Sequence, residues 1–253
     1  MKLYIIRHGD PNYDKDCLTD LGKREAAALG KWLEGKVIDD VYVSPLGRAR
    51  ETAALCLKKP AVEQEWLREF PAKLRYWEKE ELDAACPRPW ATNFFDRARV
   101  VWDILPEYWT KDPRYFDRTA WRETDICAHS DTVEVYDRVT AQFDAFLASY
   151  GYVRDGECYR VTKSTDAAVA LVCHFGIECV LLSRLLGISP FLLWHGFIAA
   201  PTSVTVVNTE ERRQGTAFFR VATFGDTSHL ALEGMERGFP GRYCERFEDE
   251  TLH

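Results

Sequence analysis

Two hydrophobic periods alternate along the first third of the chain. Residues Lys2 to Ile6 alternate weakly and are rich in β-forming side chains, which predicts a first strand ending at Arg7-His8-Gly9. Past Thr19, a good N-cap residue, Ala26, Ala27, Leu29, Trp32 and Leu33 fall at helical spacing, and the pattern stops at Gly35. Val41 to Val43 predict a second short strand, followed by Ser44-Pro45 and a helix from about Arg48 to Leu57. A β-α-β-α rhythm of this kind favours a parallel sheet covered by helices.

The rhythm breaks between about Phe70 and Val153. That stretch holds Trp77, Trp90, Trp102, Trp109 and Trp121, with Pro87, Pro89, Pro106 and Pro113 among them. Aromatic side chains at this density need a packing partner, so the segment reads as a mostly helical, cap-like insertion rather than a linker. A helix from about Thr132 to Ser149 leads back to the core. Ala167 to Cys173 is apolar throughout and predicts a buried central strand, which delivers His174 and Gly176 at its C-terminal end. A helix at Ile177 to Leu186 follows, then strands at Ser203 to Val207 and Phe218 to Thr223, paired as a hairpin across Glu210 to Gly215. The architecture expected is one α/β domain spanning residues 1–253. It is a three-layer α/β/α sandwich with a mostly parallel central sheet and a helical cap insertion at about 70–153.

Composition narrows the class. The 253 residues suffice for a sizeable core, and 46% hydrophobic with 29% charged residues is ordinary for a soluble globular protein. A net charge of -7 argues against nucleic acid or an anionic membrane as partner, so an anionic substrate must be met by a local cluster of Arg. The apolar run ahead of Arg7 is too short for a signal-peptide core. The later run from Ala167 is interrupted by His174 and Glu178 and cannot span a bilayer. Cytoplasmic residence is therefore expected. Eight scattered cysteines without a CxxC pair read as buried thiols of a reducing compartment. Oligomeric state is not readable from the chain.

Ligands of open α/β sheets bind beyond the carboxyl ends of the strands. Three predicted strand ends supply suitable groups there: Arg7 with His8, then Arg48 just past Ser44-Pro45, then His174. Two guanidiniums and two imidazoles converging on one rim make a compact anion site, and guanidinium geometry suits the paired oxygens of a phosphoryl group. The nearby Arg charges should disfavour protonation of His8, which keeps its imidazole nucleophilic.

These stretches resemble the histidine phosphatase superfamily, the group that includes cofactor-dependent phosphoglycerate mutases and many small phosphatases. Leu3 to Asp10 (LYIIRHGD) matches the nucleophile motif, and Leu18 to Leu33 resembles the helix that follows it. Val43 to Ala54 (VSPLGRARETAA) matches the SPL-x-RA-x-x-TA block, and Leu171 to Gly176 (LVCHFG) with Glu178 to Leu182 resembles the second histidine block. Phe224 to Ala231 (FGDTSHLA) is similar to the C-terminal end of the family. Phe175 stands where the other branch carries an Asp, which points to the phosphoglycerate-mutase-like branch.

The resemblance implies a phosphatase that hydrolyses a small phosphorylated metabolite through a phosphohistidine at His8, with Arg7, Arg48 and His174 cradling the phosphoryl group. It places the general acid in an L-x-E element, here Leu67-Arg68-Glu69, with Asp10 as the rival carboxylate. Asn12, at the mouth of the pocket, joins Arg7, Arg48 and His174 among the substrate-binding residues. The pair Pro11-Asn12 departs from the family pattern, and Phe70-Pro71-Ala72 after Glu69 departs from that of the mutases. A mutase-type phosphotransferase and a catalytically quiet phospho-ligand binding protein remain the alternatives. A metal centre could be assembled from His8, Asp10 and His174, but Arg7 and Arg48 would oppose a cation. No metal and no other cofactor is expected.

Overall fold

The computed structural model of the chain describes residues 1–74 and 100–238. Trp77, Trp90, Pro87, Pro89 and Arg75, which belong to the insertion, lie outside the described residues. Two compact units organise the rest: Met1–Glu69 with Asp144–Glu178 and the segment from Ile198 onward, and Phe70–Phe143 with Cys179–Phe197.

The first unit is built on an eight-stranded mixed sheet. Its strands are β1 (Lys2–Arg7), β4 (Asp40–Val43), β5 (Val62–Glu63), β6 (Tyr152–Asp155), β7 (Cys158–Val161), β8 (Ala168–Cys173), β9 (Val204–Arg213) and β10 (Thr216–Asp226). They lie in the order β5-β4-β8-β1-β9-β10-β7-β6. Two short strands, β2 (Pro11–Asn12) and β3 (Cys17–Leu18), form a separate ribbon. From β5 to β1 the neighbours run parallel; from β1 onward every pairing is antiparallel. The α/β class and the expected strands are thus present, with an antiparallel half attached to the parallel one. The β9/β10 hairpin is longer than the sequence pattern suggests and turns at Gln214-Gly215, where the glycine takes a left-handed φ of 84.

Helices α1 (Asp20–Leu33) and α2 (Gly47–Cys56) cover one face of the parallel half. Thr19 caps α1 as its sequence predicts, its hydroxyl accepting from Gly22 N. Leu29 and Leu33 of α1 and Ala49, Ala53 and Cys56 of α2 pack on Tyr4, Ile6, Val41, Val43, Ala170 and Val172 in one buried cluster. Leu3 and Ile5 alternate to the other side and are equally buried. The start of α1 approaches the end of β1 at backbone distance: a Cβ on Gly22 would stand 2.2 Å from Asp10 O, and one on Gly9 2.7 Å from Gly22 O. Glycine at both positions is what lets the loop after His8 lie against the helix.

The second unit is assembled from short helical pieces, as proline-rich sequence dictates. They are 3₁₀ turns at Val101–Asp103, Pro113–Phe116 and Ala120–Glu123, single turns α3 (Pro106–Trp109) and α4 (Asp125–Ala128), and α7 (Pro190–Gly196). Pro106 and Pro113 sit at helical N-termini, where a missing N–H costs nothing. The aromatic side chains find one another: Phe191 lies 4.8 Å from Tyr115, 5.3 Å from Trp194 and 6.2 Å from Trp121 between ring centroids. Two longer helices, α5 (Thr132–Ser149) and α6 (Phe175–Leu186), each begin in one unit and end in the other. The described cysteines are free, but Cys158 is exposed and Cys17 half-buried, which corrects the expectation of uniformly buried thiols. Hairpin residues and loop edges do not share the burial of β8.

Candidate active site

Register brings the functional residues together. In the parallel pair β1/β8, Arg7 stands opposite Cys173, so the next residues, His8 and His174, leave the sheet side by side. In β4/β8, Val43 stands opposite Val172, which places Ser44 beside Cys173, one residue before His174. His8 N donates to Cys173 O at 3.0 Å and Ser44 N to Val172 O at 2.9 Å, fixing these exits. The His8 and His174 rings lie 5.0 Å apart, tilted by 59°.

His8 is 1% exposed, deeper than a residue at a strand's end would suggest. Its Nδ1 lies 2.7 Å from Gly9 O, an acceptor only, so Nδ1 carries the ring hydrogen and Nε2 the lone pair. Arg48 Nε donates to that Nε2 at 3.3 Å. Burial first, then the charges of Arg7 and Arg48, push the His8 pKa well below the ordinary imidazole value, and the ring is neutral. His174 is depressed in the same way, by burial first and then by His8, Arg48 and Arg7.

The Arg48 side chain, 1% exposed, enters from α2 and is anchored by Asp16, whose Oδ1 accepts from Nη1 at 2.6 Å. Asp16 Oδ2 also accepts from Gly47 N at 2.7 Å, tying the same carboxylate to the first residue of α2. Thr52, one turn along, accepts from Gly9 N at 3.0 Å and donates to Arg48 O at 2.7 Å. Arg7 donates from Nη1 to Ala199 O and lies with Cζ 5.9 Å from the Phe175 ring centre, while its buried Nε has no hydrogen-bond partner among the described residues. His174 Nε2 is 2.8 Å from Ser44 Oγ. Ser44 Oγ also accepts from Leu46 N at 3.3 Å. His174 Nδ1 is buried and has no hydrogen-bond partner among the described residues.

Glu69 follows the 3₁₀ turn Glu65–Leu67, and its Oε1 accepts from Ile177 N at 3.2 Å, in the first turn of the helix that starts directly after His174. The rival Asp10 is turned toward the start of α1: Oδ2 accepts from Thr19 Oγ1 at 2.6 Å. Asn12 lies on β2, where its Oδ1 accepts from Lys15 N at 3.2 Å and closes a turn.

Several residues around the site are not among those the sequence singles out. Ser44 lies within the SPL-x-RA-x-x-TA match without being assigned a role there, and Asp16 carries no signal of its own. Glu25, 0% exposed on α1, accepts from Asp10 N at 2.8 Å, and burial raises its pKa. Glu178, 1% exposed on α6, is pushed up to about 7, chiefly by burial, against the opposing pull of Arg7. In the sequence Glu178 is marked by the interruption of an apolar run and by its place in the second histidine block, neither of which assigns it a role. Among the described residues, no group of three or more His, Cys, Asp or Glu is arranged to hold a metal ion.

The parallel half of the sheet ends in two neutral imidazoles, with Arg7 from β1 and Arg48 from α2 beside them, in an α/β fold. Residues 3–221 match the model of the histidine phosphatase superfamily (branch 1), and the chain belongs to that family. No curated protein matches the sequence. Among solved structures, it is similar to a mutant phosphoserine phosphatase from Entamoeba histolytica in complex with phosphoserine, at 18% identity and a TM-score of 0.58. That likeness covers 90% of this chain and 98% of the other. A mycobacterial glucosyl-3-phosphoglycerate phosphatase in complex with inorganic phosphate is similar at 19% identity and a TM-score of 0.57, over 90% and 98% of the two chains. The α-ribazole phosphatase from Shigella flexneri is similar at 19% identity and a TM-score of 0.51, over 90% and 97%. At these identities the likeness is one of fold.

Proposed function

We propose that the chain is a phosphatase that hydrolyses a small phosphomonoester through a phosphohistidine at His8. The observation that carries this reading is the hydrogen-bond state of His8. Its only ring N–H is committed to Gly9 O, and its Nε2 lone pair faces the Nε–H of Arg48 at 3.3 Å. An uncharged, oriented nitrogen lone pair beside two guanidiniums is what attack on a phosphorus atom requires.

In this reading Nε2 forms the N–P bond as the ester P–O bond breaks. Positive charge develops on the imidazole and is met by Gly9 O, while Arg7 and Arg48 stabilise the equatorial oxygens. Arg7 Nε, a buried donor without a partner among the described residues, supports the same assignment, because an anion bound there would satisfy it. Glu69 gives its proton to the departing alkoxide oxygen. Water then attacks the phosphohistidine while giving a proton to the Glu69 carboxylate; the N–P bond breaks, inorganic phosphate leaves, and the lone pair returns to Nε2. Asn12 serves at the mouth of the pocket. The similar structures, with phosphoserine, glucosyl-3-phosphoglycerate and α-ribazole in their names, favour a small phosphorylated metabolite.

A screen of the purified protein against a panel of phosphorylated metabolites in EDTA tests the proposal. Release of inorganic phosphate from at least one small monoester is expected. Transfer of phosphate between two positions of a substrate without release would point to a mutase instead, and binding without turnover would overturn the enzymatic reading.

A further inference from the structure

Thr202 occupies a backbone conformation that its side chain opposes. It lies at φ +57, in the left-handed region, and it is β-branched. Ser203 N donates to Ala200 O at 2.9 Å, which makes Ala200 to Ser203 a turn with Pro201 second and Thr202 third. A positive φ at the third position after such a proline is ordinarily filled by glycine or asparagine. Threonine stands there instead, fully buried, and its side chain has a definite partner: Oγ1 is 2.9 Å from His229 Nε2 on α8 (Ser228–Leu232).

The hydrogen atoms can be assigned along this link. Thr202 Oγ1 donates to Pro201 O at 2.7 Å, so His229 Nε2 carries its ring hydrogen and donates to Oγ1. His229 is 1% exposed and stays neutral, its pKa lowered to about 4, chiefly by burial. The turn it holds grips the site from the side opposite β8. Thr202 N donates to His8 O at 3.1 Å, Arg7 N to Ser203 O at 3.1 Å, and Arg7 Nη1 to Ala199 O.

We propose that His229 and Thr202 are positioning residues: the imidazole holds the strained turn through the threonine hydroxyl, and the turn's amide fixes the main chain of His8. The inference deepens the reading of His8 as nucleophile and rests on it. Strained backbone persists only where surrounding contacts over-determine it, and such positions cluster at functional sites. Here the hydroxyl link supplies the determination.

The test compares wild-type protein with Thr202→Ser, Thr202→Gly, His229→Gln, His229→Ala and the Thr202→Gly/His229→Ala pair. One readout is the pre-steady-state rate of phosphoenzyme formation from p-nitrophenyl phosphate; the other is the position of the His8 ring signals in NMR spectra of the free protein. Thr202→Gly and His229→Ala should each slow phosphorylation by about 10- to 100-fold, the scale of a small misplacement of a reacting group. The double variant should lose no more than either single one, because both remove the same link. Thr202→Ser should keep the rate, and His229→Gln, whose amide can donate, should recover part of it. Inhibition by inorganic phosphate should change little in all of them.

Thr202→Gly also relieves the backbone, so it should leave stability unchanged or raised while the rate falls. A merely structural role would not separate the two, and this variant carries the test if His229→Ala does not fold. Wild-type rates with unmoved His8 signals in Thr202→Gly, or fully additive losses in the pair, would overturn the clamp. A wild-type protein that forms no phosphoenzyme would instead remove the nucleophile reading, and the ring signals would still decide the clamp.

Discussion

Arg48 and His8 meet nitrogen to nitrogen: a guanidinium N–H points along the imidazole lone pair at 3.3 Å, and neither group is more than 1% exposed. Any phosphoryl group accepted by Nε2 must take over that donor, so the two residues describe the line along which phosphorus would approach.

The first expectation concerns His8 itself. His8→Ala should abolish phosphate release, and acid-labile, base-stable labelling by a phosphorylated substrate should vanish with it. Because the ring is buried beside two cations and gives its one N–H to a neutral carbonyl, the variant should still fold with an unchanged far-UV spectrum. Undiminished turnover would remove the nucleophile from this position.

The Asp16–Arg48 pair gives the second. Asp16 is 40% exposed at its side chain but Arg48 only 1%, so loss of the carboxylate charge would leave a buried guanidinium and cost some stability. Asp16 also acts on placement, since one carboxylate holds both Arg48 Nη1 and Gly47 N. Asp16→Asn should therefore lower kcat/KM by about 10- to 100-fold per folded molecule, beyond any drop in thermal midpoint. A large drop in midpoint with kcat/KM retained per folded molecule would show the pair to be structural.

Glu69 is expected to act on the leaving group. Glu69→Gln should slow alkyl phosphates by about 10²- to 10⁴-fold, the usual reach of general acid catalysis. It should largely spare p-nitrophenyl phosphate, whose nitrophenolate departs without a proton, provided phosphorylation of His8 limits both rates. Equal losses on both substrates would move the acid role to Asp10 or to the insertion.

Stability should fall on mild acidification. His8, His174, His195 and His229 all have depressed pKa values, with His195 and His229 each lowered to about 4, chiefly by burial. Below the ordinary value near 6.5 the unfolded chain binds protons that the native state refuses. Their stabilisation is therefore complete above that pH and is lost as pH falls, by about 1.4 kcal/mol per pH unit for each imidazole. Glu178, raised to about 7, and Glu25, also raised, work the other way, losing stability as pH climbs above the usual carboxylate range. Four groups oppose two, so the urea midpoint should drop between about pH 6.5 and pH 5. Glu178→Gln removes one opposing group and should steepen the drop; a flat profile in both proteins would contradict the balance.

The parallel half of the sheet is legible in the sequence because each strand there is an apolar run beside an amphipathic helix. The helix Thr132–Ser149 has the bounds its pattern predicts, and His8, Arg48 and His174 come together as strand ends imply. The β6/β7 hairpin is missing from the predicted elements, although Asp155-Gly156 between two alternating runs is a strong turn signal. Assigning Val153 to the insertion hides it. Asp16, Ser44, Thr202 and His229 act through contacts with residues distant in the chain, and no local period marks such partners. The strained φ of Thr202 is not readable at all, since nothing in Ala200-Pro201-Thr202-Ser203 distinguishes a turn that needs glycine from one that does not.

The central place of β1 carries a consequence for how the molecule comes into being. Residues Lys2–Arg7 pair on one side with Ala168–Cys173 and on the other with Val204–Asn208, so the ribosome makes this strand long before either neighbour. Pairings of such long sequence separation pay their loop-closure entropy before they are rewarded, which makes folding slow. Until β8 and β9 have emerged, Leu3, Ile5 and Ile6 have no sheet to enter and remain an exposed β-prone segment, a natural target for chaperones.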